Sequence, residues 1–202
     1  MKAALLFSSK PDDVFAAVKA MEEGHKVLEV VSLGHEKNAG LTAEALGAEF
    51  YAAENNDLRE TLKKLKERHG IEGLVFSQNN SSAAEKACAD SGLRAIKIIH
   101  GNEKMMLREM IESGFSIIIT GVSAYGFNQL WLGRILDLKG WADLVDLSQK
   151  WGISLLAKNS EFEALVLDCP AFRKKIEILD SEKKWDGAKG SLEIKKTQLT
   201  EK

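Results

Sequence analysis

Between residues 2 and 120, short and almost wholly apolar runs alternate with stretches whose apolar residues recur at helical spacing, and few architectures satisfy such an alternation. The run at 2–7 (Lys-Ala-Ala-Leu-Leu-Phe) closes on Ser8, Ser9, Lys10 and Pro11, and a helix is predicted over 12–23 through Val14, Ala17, Val18 and Met21. Pro11 suits its first turn, where a missing N–H costs nothing, and Gly24 suits its stop. Further strands are predicted at 26–33, 49–53, 71–76, 94–99 and 115–120, and helices at 41–46, 57–69, 82–91 and 103–113. In helix 57–69, Leu58, Leu62 and Leu65 share one face while charges fill the other. Continuous apolar strands between amphipathic helices predict an α/β domain, a parallel sheet with helices on both faces. Its ligand site is expected at the carboxyl ends of the strands.

After Gly121 the texture changes. A Gly- and aromatic-bearing stretch, 122–137, leads to a helix at 141–151, then to strands at 163–167, 174–179 and 191–199 joined by turns such as Asp186-Gly187. We therefore expect an α/β domain over 1–125 and a smaller C-terminal α+β domain over 126–202.

Charge excludes some function classes. Lys and Arg total 28 against 30 Asp and Glu, a net −2, so no global positive field exists to hold nucleic acid or an anionic membrane. Any polyanion must be met locally. Cys88 and Cys169 lie far apart with no C-x-x-C spacing, and no secretory signal pattern is present, which predicts a reducing, cytoplasmic location. The longest apolar run, 115–120, is far shorter than the ~20 residues of a membrane span.

The first strand-to-helix loop is the natural anion site of such a sheet, because free N–H groups and the positive end of the helix dipole face it. Ser8, Ser9 and Lys10 could donate to phosphate oxygens, but no glycine lets the backbone approach closely. Asp12 and Asp13 put two negative charges in the first turn, which stabilise the helix and repel a phosphate. Taken alone, the loop reads as a well-capped helix start rather than a nucleotide cradle.

Several segments in order carry a resemblance: the Ser loop, Ala43-Glu44-Ala45-Leu46-Gly47, Gly70-Ile71-Glu72-Gly73, Trp131-Leu132-Gly133-Arg134, Glu161-Phe162-Glu163 with Leu165-Val166-Leu167-Asp168, and Trp185-Asp186-Gly187. Across essentially the whole chain they resemble the archaeal diphthine-ammonia ligase family of PP-loop ATP pyrophosphatases. The resemblance implies a Rossmann-like, HUP-type sheet and an active site between the two domains. It implies ATP bound with Mg²⁺ on the first loop, through Ser8, Ser9, Lys10, Asp12 and Asp13, and an acyl-adenylate passed to ammonia. The implied substrate and partner is elongation factor 2 carrying diphthine.

The departures fall where that chemistry belongs. Against the family's Ser-Gly-Gly-Lys-Asp-Ser, Ser8 and Asp12 match, while Ser9, Lys10, Pro11 and Asp13 do not. Ala157-Lys158-Asn159-Ser160 stands where the family has glycines before Glu-Phe-Glu. Ser77-Gln78-Asn79-Asn80-Ser81 replaces a Gly-containing adenine-side turn, and Ile98-Ile99-His100 stands in place of Pro-Leu-Trp. A catalytically inactive member that acts as a binding protein is therefore the alternative to an ATP-dependent ligase.

The remaining candidates have plain readings beside functional ones. Glu161, Glu163 and Asp168 could hold Mg²⁺ or orient ammonia, or be ordinary solvated carboxylates; Glu161 and Glu163 share a face if extended. Arg134 could clamp a phosphate or carboxylate, or form a surface ion pair. His25, His35, His69 and His100 show no ligand spacing, so no metal site is predicted, and His69 reads as a helix end. Trp131, Trp141, Trp151 and Trp185 read as packing, Cys88 as a small buried hydrophobe and Cys169 as a weak nucleophile.

Overall fold

β1 (Lys2–Phe7) is buried from Ala3 through Phe7, as an uninterrupted apolar strand must be, and it lies at the centre of a five-stranded parallel sheet. The computed structural model describes residues 1–34, 36, 38–53, 57–78, 81–98 and 101–202, without the side chain of Ser81. His35, Asn79, Asn80, Ile99 and His100 of the sequence reading lie outside the described residues. The first unit, Met1–Ile99, runs β1, α1 (Pro11–Glu22), β2 (Lys26–Ser32), α2 (Ala39–Leu46), β3 (Glu49–Ala52), α3 (Leu58–His69), β4 (Gly73–Ser77), α4 (Ser81–Ser91) and β5 (Arg94–Ile98). Strand order is β3-β2-β1-β4-β5, so the chain reverses direction of growth between β1 and β4. In such sheets that crevice is where ligands bind.

Helices cover both faces. Ala4 and Leu6 point into a core with Leu58, Leu62 and Leu65 of α3 and Ala84, Ala87 and Cys88 of α4, while α1 packs against β1, β4 and β5. Helix α3 starts where Asp57 caps it, accepting the Glu60 N–H at 3.0 Å, and stops at Gly70 in the left-handed region. Leu62 and Leu65 are fully buried, each contributing ~1.5–3 kcal/mol of apolar burial. The sequence pattern placed this face correctly because a single helix stripe meets a single core.

The second unit, His100–Lys202, holds α5 (Glu103–Glu112), β6 (Ser116–Val122), a 3-10 turn (Gln129–Trp131), α6 (Leu138–Trp151), β7 (Phe162–Asp168), β8 (Lys174–Trp185) and β9 (Gly190–Glu201). Its sheet is antiparallel, in order β7-β6-β9-β8. The expectation that 115–120 joins the parallel sheet is corrected here: β6 pairs antiparallel with β7 and β9. An apolar run reports burial on two faces, not strand direction. Ile117 and Ile119 are fully buried on one face of β6, and Ile118 packs with Leu165 and Leu192 on the other. The units divide after Ile99, so α5 and β6 group with the residues following the 125/126 boundary drawn from texture.

Turn chemistry ends the long β8–β9 hairpin. Asp186 Oδ1 accepts the Ala188 and Lys189 N–H groups at 3.0 and 2.7 Å, and Gly187 takes φ 99°. Trp131 packs edge-on against Phe127, and Trp141 donates its indole N–H to the Lys104 carbonyl at 3.0 Å, in line with packing roles. Among the described residues no helix is long and apolar enough to cross a membrane.

Candidate functional site

Three elements meet at the β1/β4 crevice: Ser8 follows β1, Ser77 ends β4, and α1 opens at Pro11 with Lys10 as its extended N-cap. Asp12 and Asp13, in the first turn of α1, are buried rather than solvated, with 2% and 0% exposure. The Asp13 carboxylate collects the local donors. Its Oδ2 accepts the Ser8 N–H and the Ser8 hydroxyl, each at 2.7 Å, and its Oδ1 accepts the Ser77 hydroxyl at 2.9 Å. Burial, with the Asp12 charge beside it, pushes the Asp13 carboxyl up to about 7, against the hydrogen bonds from Ser8 and Ser77 that pull it down.

A carboxylate thus stands at the helix N-terminus where an anion would be held, bound to donors of this loop. A triphosphate brought here would have to displace Asp13 from Ser8 and Ser77 and would meet the neighbouring Asp12 charge in a poorly solvated crevice, where like-charge repulsion is strong. The loop nevertheless keeps a tight shape. Ser9 sits at φ 61°, in the left-handed region where a glycine would carry no steric cost.

In the second unit the candidate residues separate. Glu161 precedes β7 and is buried; its Oε1 accepts the Ser154 N–H and the Asn159 side-chain N–H, both at 3.0 Å, and its Oε2 the Asn159 N–H at 2.9 Å. Burial pushes Glu161 up, but these hydrogen bonds together hold it below the ordinary glutamate range. Glu163 is exposed on β7 and lies over Gly121 of β6, whose missing Cβ would sit 3.2 Å from the Glu163 Cβ. Asp168, roughly 16 Å further along the strand, pairs with Lys202 at 2.5 Å. Glu161 turns into its own loop, so Glu161, Glu163 and Asp168 do not gather into one carboxylate cluster. Arg134 pairs with Asp143 and lies 4.6 Å over the Trp131 ring. Its guanidinium is engaged by an ion pair and an aromatic face.

Glu103, at the start of α5, holds the same loop from the other side. It accepts the Ser154 hydroxyl at 3.0 Å and the Leu155 N–H at 2.8 Å, and it pairs with Lys158 at 2.8 Å. Ala157 and Ser160 within the loop take φ 53° and 61°. Of the four non-glycine residues with positive φ among the described ones, Ser9, Ala157 and Ser160 fall in the two loops where the resemblance expects glycines. These loops keep a glycine-type backbone without glycine. Ser9→Gly, Ala157→Gly and Ser160→Gly should each be neutral or stabilising by ~0.5–1 kcal/mol, since relief of left-handed strain offsets the added chain entropy. Denaturant midpoints check this, and a loss beyond ~1 kcal/mol in all three would contradict it.

Ser77, Glu103 and Ser154 carry weight that sequence reasoning did not assign as site residues. Their partners lie 64 and 51 positions away, so no local spacing announces them. Cys88 and Cys169 are both buried, and burial pushes their thiols up to about 11 and about 12, which leaves neither a ready nucleophile.

Residues 102–200 match a family model described as the diphthamide synthase C-terminal domain. The chain is similar to the diphthine–ammonia ligase of Mus musculus, 27% identical over 227 residues that cover 90% of this chain and 84% of that protein. It is similar to that of Homo sapiens, 27% identical over 225 residues with the same shares covered. The Danio rerio protein of that name is 26% identical over 226 residues, covering 90% of this chain and 87% of its own length.

Proposed function

Because the chain belongs to the diphthine–ammonia ligase family, we propose that it acts in diphthamide formation by engaging diphthine-bearing elongation factor 2 as a binding protein, without adenylating it. One observation carries the non-catalytic part: Asp13 places a buried carboxyl group on the Ser8 donors of the first loop and on the Ser77 hydroxyl at the end of β4. In this reading Ser8, Ser9, Lys10, Asp12 and Asp13 do not suit ATP with Mg²⁺, and no phosphoryl or adenylyl step runs through them. Glu161, braced by loop 154–160, and Arg134, braced by Asp143, then serve the shape of the second unit.

The second reading, ATP-dependent amidation of diphthine through an acyl-adenylate, draws on the retained left-handed turns at Ser9, Ala157 and Ser160. One experiment separates the two. The chain is incubated with diphthine-bearing elongation factor 2, ATP, Mg²⁺ and ammonium, and AMP release is followed alongside co-sedimentation with the factor. The binding reading expects complex formation and no AMP above background. AMP release dependent on both chain and factor would establish the ligase reading instead, and absence of any complex would remove the partner.

A further inference from the structure

On the same unit, away from the first loop, Glu29 of β2, Glu49 of β3 and His69 at the end of α3 each offer one ligand atom, all three within 4.8 Å of one another. Glu29 and Glu49 are direct partners in the parallel β2–β3 register, so their side chains leave the sheet on the same face. Glu29 is interior, its side chain 3% exposed, and its Oε1 stands 3.1 Å from His69 Nδ1. Glu49 is exposed and His69 half-buried, which opens the cluster to water on one side.

Two carboxylates facing each other across a strand pair, one stripped of water, repel. A metal cation bridging the three groups would offset that repulsion more fully than the His69–Glu29 contact at 3.1 Å does alone. One imidazole nitrogen and two carboxylate oxygens around a solvent-facing position form the three-ligand set of an open zinc-type site, and imidazole disfavours Mg²⁺ or Ca²⁺. Two ligands of a tetrahedral zinc stand ~3.3 Å apart, close to the His69–Glu29 separation of 3.1 Å. Bringing in Glu49 needs only rotamer adjustment of an exposed side chain on a fixed strand.

We propose that Glu29, Glu49 and His69 bind a divalent transition-metal ion of the Zn²⁺ class, which fastens edge strand β3 and the end of α3 to β2. This site is independent of the diphthine reading and of the first loop. The spacing of His69 along the chain gives no hint of it, because the three ligands come from three elements.

The test titrates Zn²⁺, and in parallel Co²⁺, into the chelator-stripped 202-residue chain. Calorimetry should find one Zn²⁺ per chain, and Co²⁺ should give visible ligand-field bands without thiolate charge transfer. His69→Gln and Glu49→Gln, both at solvent-accessible positions, should fold as the parent by circular dichroism. Each should weaken Zn²⁺ binding by no less than the ~10- to 100-fold that loss of a supporting partner costs at metal sites. No saturable uptake, affinity unchanged in both variants, or a thiolate band implicating Cys88 or Cys169 would overturn the proposal.

Discussion

At about pH 8 the Asp13→Asn variant is expected to be more stable than the parent chain, while near pH 4 the two should differ little. The folded state holds the Asp13 proton up to about pH 7, whereas the unfolded chain releases it near 3.8. Stability from this group is therefore complete below about 3.8, falls as pH rises, and levels off above about 7. A rise of that size corresponds to as much as ~4 kcal/mol. Asparagine copies the protonated acid. Its oxygen can accept from Ser8, its amide can donate to the Ser77 hydroxyl, and it carries no charge to desolvate. Denaturant midpoints of both chains across that range give the answer; a stability difference that stays constant with pH would show that Asp13 does not titrate as a buried acid.

The second large effect is expected at Glu161. Glu161→Ala removes the acceptor for two backbone N–H groups and the Asn159 side-chain amide, in a loop whose Ala157 and Ser160 are already strained. Stranding partly buried donors costs ~1–3 kcal/mol each, so a loss of ~2–4 kcal/mol is expected after some donors find water. Hydrogen exchange should report it first in residues 154–160, with Glu161→Gln intermediate. Acid should act in the same direction: Glu161 is held below the ordinary glutamate range, so its contribution is present above that range and lost as pH falls through the depressed value. Unchanged loop protection in Glu161→Ala would mean that Glu103 alone holds the segment through Ser154, Leu155 and Lys158.

Much of the fold was legible because period and composition speak directly to burial. The stripe Leu58, Leu62 and Leu65, the Pro11 start and the Asp186-Gly187 turn all stand where the pattern put them. β6 shows the limit. Its Ile-rich run is buried on both faces, which the pattern conveys, yet its partners β7 and β9 lie far ahead in the chain and set its antiparallel direction. The site was less legible still. Asp12 and Asp13 read as first-turn charges of a helix start, and nothing local announces that both are buried or that Ser77 arrives from β4 to bond Asp13. Alternation put Glu161 and Glu163 on one face, but the strand begins at Phe162, leaving Glu161 free to turn into its loop. The left-handed turns at Ser9, Ala157 and Ser160 are invisible to propensity, since none of the three residue types favours that conformation.

The central claim is that the first loop is filled from within by Asp13, and calorimetric titration of the parent chain with ATP in the presence of Mg²⁺ tests it most directly. No saturable heat is expected at ATP concentrations up to ~1 mM, that is, binding weaker than about −4 kcal/mol. Saturable binding of ATP anywhere below ~1 mM would contradict the claim.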